Sequence, residues 1–131
     1  GYREPLDISM ENYYLIASDK IPSFAEKPSM KAAEISKKAV EFIRSGEYQY
    51  GLINFANADM VGHTGDLQAA IQAVETADSA LDNIVRAIDA VNGLLVITAD
   101  HGNADQMLIT NKSGMLEKST KHSLNPVPFL I

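Results

Sequence analysis

Residues 50–99 hold the pattern that most restricts the fold: a short β-prone run, a long amphipathic stretch and a second short apolar run. Tyr50-Gly51-Leu52-Ile53-Asn54-Phe55-Ala56 reads as a strand. From residue 66 to 91, Leu67, Ile71, Val74, Leu81, Ile84, Val85, Ile88 and Val91 recur near the helical period of about 3.6 residues. Asp66 is placed to cap this helix and Gly93 to end it. Leu94-Leu95-Val96-Ile97-Thr98-Ala99 then runs apolar without alternation, as in a strand covered on both faces. Strands joined through so long a crossover pair in parallel and with a right hand. The order predicts an α/β fold.

The flanks are less regular. Tyr13-Tyr14-Leu15-Ile16 reads as a short strand, and Pro22 and Pro28 break longer elements. Ser29 is placed to cap a helix over 30–45, with Ala32, Ile35, Ala39, Phe42 and Ile43 on its apolar face and Gly46 as its stop. Residues 57–66 read as a polar turn, 102–125 as loop, and Val127 to Ile131 as a third strand.

The chain has 131 residues, enough for one domain with a sizeable core. Its net charge of -6 argues against a nucleic-acid or membrane-surface partner. Cysteine is absent, which removes disulfides, thiol nucleophiles and thiolate metal sites and fits a cytoplasmic setting. No apolar run reaches membrane-spanning length. The chain starts without Met and stops in an apolar run, so it is expected to be a piece of a larger protein.

All three histidines sit in turns: Asn57-Ala58-Asp59-Met60-Val61-Gly62-His63-Thr64-Gly65-Asp66, Thr98-Ala99-Asp100-His101-Gly102-Asn103, and Lys121-His122-Ser123-Leu124-Asn125-Pro126. Asp59 and Asp100 each follow a predicted parallel strand, and ligands bind outside the carboxyl ends of such strands. Carboxylate oxygen with imidazole nitrogen suits Zn²⁺ or Mn²⁺. Taken singly, each Asp reads as a turn former and each His as an exposed loop residue. Their coincidence points to a two-metal α/β site. His122 precedes its strand, so convergence on one edge requires strand 127–131 to run antiparallel to the others. Thr64 and Asp66 read as helix-start residues, Asn103 and Asp105 as shapers of the turn after Asp100. Glu75, Asp78, Asp82 and Asp89 read as a solvated helix face, and the five methionines as packing or surface filler.

Asp59-Met60-Val61-Gly62-His63-Thr64-Gly65, Thr98-Ala99-Asp100-His101-Gly102-Asn103-Ala104 and His122-Ser123-Leu124-Asn125-Pro126-Val127-Pro128 resemble the C-terminal motifs of cofactor-independent (2,3-bisphosphoglycerate-independent) phosphoglycerate mutases, of the alkaline-phosphatase superfamily. The likeness is strong from residue 50 onward and loose before it; Gly1 to Pro5 match only as a short stretch. The resemblance implies a three-layer αβα domain with a mostly parallel sheet, incomplete here. Residues 1–131 would be the C-terminal part of the phosphatase-type domain, with 1–28 as lead-in from a preceding domain. It implies transfer of phosphate between the 3- and 2-hydroxyls of glycerate through a phosphoserine. Two Mn²⁺ are implied, with Zn²⁺ or Co²⁺ as substitutes: Asp59, His63 and His122 on one, Asp100 and His101 on the other. It also implies a monomeric, cytoplasmic parent.

The family's serine nucleophile and a further metal-binding Asp belong near the N-terminus of such a protein, and its substrate-binding arginines belong mostly to an inserted transferase domain. No catalytic residue is therefore assigned here. Arg3, Arg44 and Arg86 lie away from the motifs, and Ser113, Ser119 and Ser123 are not in nucleophile-like turns. The chain alone is expected to be inactive. Another member of the superfamily, such as a phosphopentomutase, and a non-catalytic metal-binding module are the rival readings.

Overall fold

The computed structural model describes residue 7 and residues 9–131. The match at Gly1 to Pro5, and Arg3 with it, lie outside the described residues. Three helices dominate: α1 (Ala32–Ser45), α2 (Asn57–Gly62) and α3 (Leu67–Ala90). Four short strands follow: β1 (Ile97–Thr98), β2 (Leu108–Thr110), β3 (Leu116–Lys118) and β4 (Phe129–Leu130). Single 3-10 turns occupy Phe24–Glu26 and Ala104–Gln106.

The long helix starts as its sequence dictates, with Asp66 Oδ1 accepting from the Ala69 amide at 3.0 Å. It ends in a Schellman turn: Gly93 N donates to Ile88 O at 2.9 Å and Asn92 N to Asp89 O at 3.1 Å. The left-handed residue is Asn92 (φ 53°), not Gly93. Glycine does take that role after α1, where Gly46 has φ 69°. The start of α1 differs from expectation. Ser29 makes no side-chain cap, because Met30 turns left-handed (φ 43°) and defers the helix to Ala32.

The buried face of α3 also differs. Ala69, Ala70, Ala73, Ala80, Ile84 and Ala87 are buried, whereas Leu67, Ile71, Val74 and Val91 remain exposed. Alanines let helix backbones approach closely, and α3 packs on both α1 and α2 along this face. Ser36 Oγ on α1 reaches across to Ala80 O at 2.7 Å, which satisfies a buried hydroxyl. Asp78, Asp82 and Asp89 are solvated, as expected, with Asp82 paired to Arg86 at 2.8 Å.

The α/β class is as expected. The pairings among the described residues are antiparallel: β1 with β4 in the register Ile97↔Leu130 and Thr98↔Phe129, and β2 with β3. The antiparallel direction of the last strand thus agrees with the expectation, although only Phe129–Leu130 forms the ladder. The parallel pair of 50–56 with 94–99 is not formed. Among the described residues no strand lies alongside 51–56 or 94–96, and Leu52 and Leu94 are 86% and 76% exposed. Tyr13 to Ile16 likewise forms no strand. Conversely, the loop expected over 102–125 contains the β2–β3 hairpin. Asn111 closes its turn by accepting from the Ser113 and Met115 amides, both at 3.0 Å.

The core lies where α2 and the start of α3 meet the segment before β2. It comprises Met30, Val61, Ala69, Ala70, Ala73 and Met107, with Phe24 and Ala104 against it. Asn57 ties the chain before α1 to this core. It is 1% exposed and donates to Pro28 O at 2.9 Å and Ser29 O at 3.0 Å. Asn57→Ala removes the donor to Pro28 O and leaves Ser29 O with the Ala32 amide alone (3.1 Å), and should lower stability by about 1–3 kcal/mol. A fall in the urea midpoint at constant m checks this.

Candidate metal centre

The expected turn over 57–66 is instead the short helix α2 followed by a Thr64–Asp66 turn. The difference matters, because helical spacing puts Asp59 and His63, four residues apart, on one face. Their contact is 3.1 Å from Asp59 Oδ1 to His63 Nε2. His122 arrives from the loop between β3 and β4. Its Nε2 lies 3.3 Å from the same Asp59 oxygen and 3.1 Å from His63 Nε2. Three donor atoms from distant parts of the sequence thus form a nearly equilateral triangle.

The tautomer of His63 follows from its other contact. Its Nδ1 is 2.7 Å from Thr120 O, which can only accept, so Nδ1 carries the proton and Nε2 of the neutral ring is bare. A bare nitrogen facing a carboxylate oxygen and a second imidazole nitrogen is repulsive unless a proton or a cation lies among them. Edges of 3.1–3.3 Å match the ligand-to-ligand spacing around a small divalent ion, about 3.3 Å for tetrahedral bonds of about 2 Å. The donor set therefore fits such an ion.

Asp100 and His101 are not part of this triangle. His101 is beside it: its ring stacks on that of His122 with centroids 3.6 Å apart and planes 17° apart. Asp100 Oδ2 lies 3.6 Å from His101 Nε2, and its side chain is 88% exposed. The structure thus gathers Asp59, His63 and His122 closely and sets the Asp100–His101 pair against their edge.

Two residues read from sequence as turn shapers do more than that. Asn103 Nδ2 donates to Asp59 Oδ1 at 2.8 Å. Asp105 accepts from Ser123 Oγ at 2.8 Å and from Asn125 Nδ2 at 2.6 Å, on either side of Leu124 and just after His122. These bonds, Asn125 first, hold the Asp105 carboxyl below its ordinary pKa. Ser123 is buried and its amide donates to Gly102 O at 2.8 Å, while Ser119 N donates to Met107 O at 2.9 Å. The loop carrying His122 is therefore pinned at both ends, and Ser119 and Ser123 serve as its anchors. The sequence signal for the Asp105 bonds was the hydroxyl and amide of Ser123 and Asn125, just after His122.

The chain is similar to 2,3-bisphosphoglycerate-independent phosphoglycerate mutases. That of Thermomicrobium roseum is 49% identical over 121 residues, 92% of this chain and 22% of the relative. That of Ricinus communis is 45% identical over 139 aligned residues, covering 100% of this chain and 24% of the relative. A solved structure of Leishmania mexicana phosphoglycerate mutase at low cobalt concentration superposes with a TM-score of 0.91 at 42% identity, over 96% of this chain and 24% of that one. The chain spans about a quarter of the length of these proteins. The family profile described as the metalloenzyme superfamily matches residues 1–131, and the chain belongs to that superfamily.

Proposed function

We propose that this chain carries the three-ligand part of the metal centre of a cofactor-independent phosphoglycerate mutase, an isomerase of glycolysis and gluconeogenesis. The observation that carries the reading is the triangle of Asp59 Oδ1, His63 Nε2 and His122 Nε2, with edges of 3.1–3.3 Å. In the parent, phosphate moves between the 3- and 2-hydroxyls of glycerate through a phosphoserine. The serine comes from a part of the parent outside this chain.

Bound divalent cations, two Mn²⁺ with Zn²⁺ or Co²⁺ as substitutes, would neutralise phosphate charge and lower the pKa of the attacking hydroxyl. Asp59, His63 and His122 hold one ion, and Asp100 and His101 contribute to the other. Thr120 O fixes the His63 ring so that Nε2 faces inward. The rest of the parent packs on this chain, a reading supported by exposed Leu52, Leu94, Leu124 and Phe129. Among the described residues no helix is long and apolar enough to cross a membrane, and a cytoplasmic setting with a small-molecule substrate is part of the proposal.

Calorimetric titration with Mn²⁺ tests the centre. One ion should bind more tightly than a second, because three ligands face one position and two the other. Affinity should fall as pH is lowered, since protons compete for the imidazoles. Two equal sites, or no binding at saturating Mn²⁺, would contradict the assignment. The parent assayed on phosphoglycerate and on ribose phosphate separates a phosphoglycerate mutase from a phosphopentomutase.

A further inference from the structure

Asn103 is 5% exposed, and only one side of its amide is used. Nδ2 donates to the Asp59 carboxylate at 2.8 Å and approaches the Asp59 main-chain carbonyl at 3.3 Å. Oδ1 is buried and has no hydrogen-bond partner among the described residues. Both Asp59 groups only accept, so the NH₂ side must face them; a flipped amide would set oxygen against oxygen. Nor can the side chain swing toward α2. A Cβ on Gly62 would lie 2.5 Å from Asn103 Oδ1, so the amide already fills the space that glycine leaves.

An orphaned buried oxygen is unfavourable for folding, and a leucine, with the same branching, would carry no such orphan. What leucine cannot do is donate to Asp59. The Asp59 oxygen that accepts from Asn103 is the one that faces His63 and His122. We propose that Asn103 is a positioning residue, whose Nδ2 holds Asp59 Oδ1 so that its remaining lone pair points between His63 Nε2 and His122 Nε2. The proposal rests on reading these three groups as a metal centre. Because Asn103 follows His101 by two residues, it also joins the Asp100–His101 pair mechanically to the three-ligand set.

The test uses the full 131-residue chain, Asn103→Leu and Asn103→Ala, titrated with Co²⁺ by calorimetry and by visible absorption. The thermal midpoint of each is also taken without metal. Co²⁺ affinity should drop roughly 10- to 100-fold in both variants, the range for partners that orient a ligand. The cobalt band should change shape in both variants, whatever the change in the metal-free midpoint. Unchanged affinity and spectrum in the variants, with a lowered midpoint, would assign Asn103 a structural role and overturn the proposal. Should leucine prevent folding, the same comparison is read on Asn103→Ala. A wild-type chain that binds no Co²⁺ would overturn the metal-centre reading itself, an outcome distinct from wild-type binding that the variants leave intact.

Discussion

His122→Ala is expected to weaken binding of the first Mn²⁺ by more than about 100-fold, beyond the loss from removing a partner that merely orients a ligand. The argument is geometric. His122 Nε2 is one corner of a triangle whose other corners are 3.1 and 3.3 Å away, and nothing on its loop replaces it. Removing it leaves Asp59 and His63, neighbours on one turn, which cannot surround an ion. His101→Ala removes a ring stacked 3.6 Å from His122 but no corner of the triangle. It should cost the first ion less than tenfold, a loss of under about 1.4 kcal/mol, and the second ion more. Calorimetry on both variants checks the order, and a larger first-ion loss from His101→Ala would reverse the assignment.

Gly102→Ala is expected to destabilise the chain by about 1–3 kcal/mol, the usual cost of forcing an extra carbon into a filled space. The added Cβ would fall inside contact distance of Ser123 Oγ and 2.5 Å from Asp105 Oδ1. Those atoms bond to each other, and Gly102 O accepts from the Ser123 amide, so the methyl would push apart the anchor beside His122. Metal affinity should fall along with stability. Gly51→Ala is the control: nothing lies within 4 Å of its added carbon. It should shift stability by less than about 0.5 kcal/mol. Urea midpoints for the two variants, measured without metal, decide whether the packing at 102 is as tight as the geometry says.

Local chemistry made part of this structure legible in the sequence. Asp66 caps α3 because its carboxylate precedes a helix-forming run, and Gly46 ends α1 because only glycine turns left-handed there without strain. The antiparallel sense of the last strand followed from requiring His122 to meet the strand-end carboxylates. The grouping of Asp59, His63 and His122 was legible because every histidine sits in a turn beside Gly, Asp or Thr.

Other features depended on partners distant in sequence. The helical period of α3 was right, and Ile84 of the expected stripe is buried, but Leu67, Ile71, Val74 and Val91 are not. Periodicity marks a face by its large apolar residues, whereas close approach to α1 and α2 selects the alanines. Leu67, Ile71 and Val74 form an exposed apolar face instead. The runs 51–56 and 94–96 have the composition of buried strands, yet among the described residues no strand lies beside them. The helical form of α2 was hidden by its shortness, six residues ending on Gly62. Asn57 and Asn103 read as turn residues because their partners, Pro28, Ser29 and Asp59, lie 28 to 44 residues away.

Anomalous diffraction from crystals of the chain grown with Mn²⁺ tests the central claim most directly. The account predicts an ion about 2 Å from Asp59 Oδ1, His63 Nε2 and His122 Nε2 together. An ion bound elsewhere, or those three side chains turned apart with no anomalous peak between them, would contradict it.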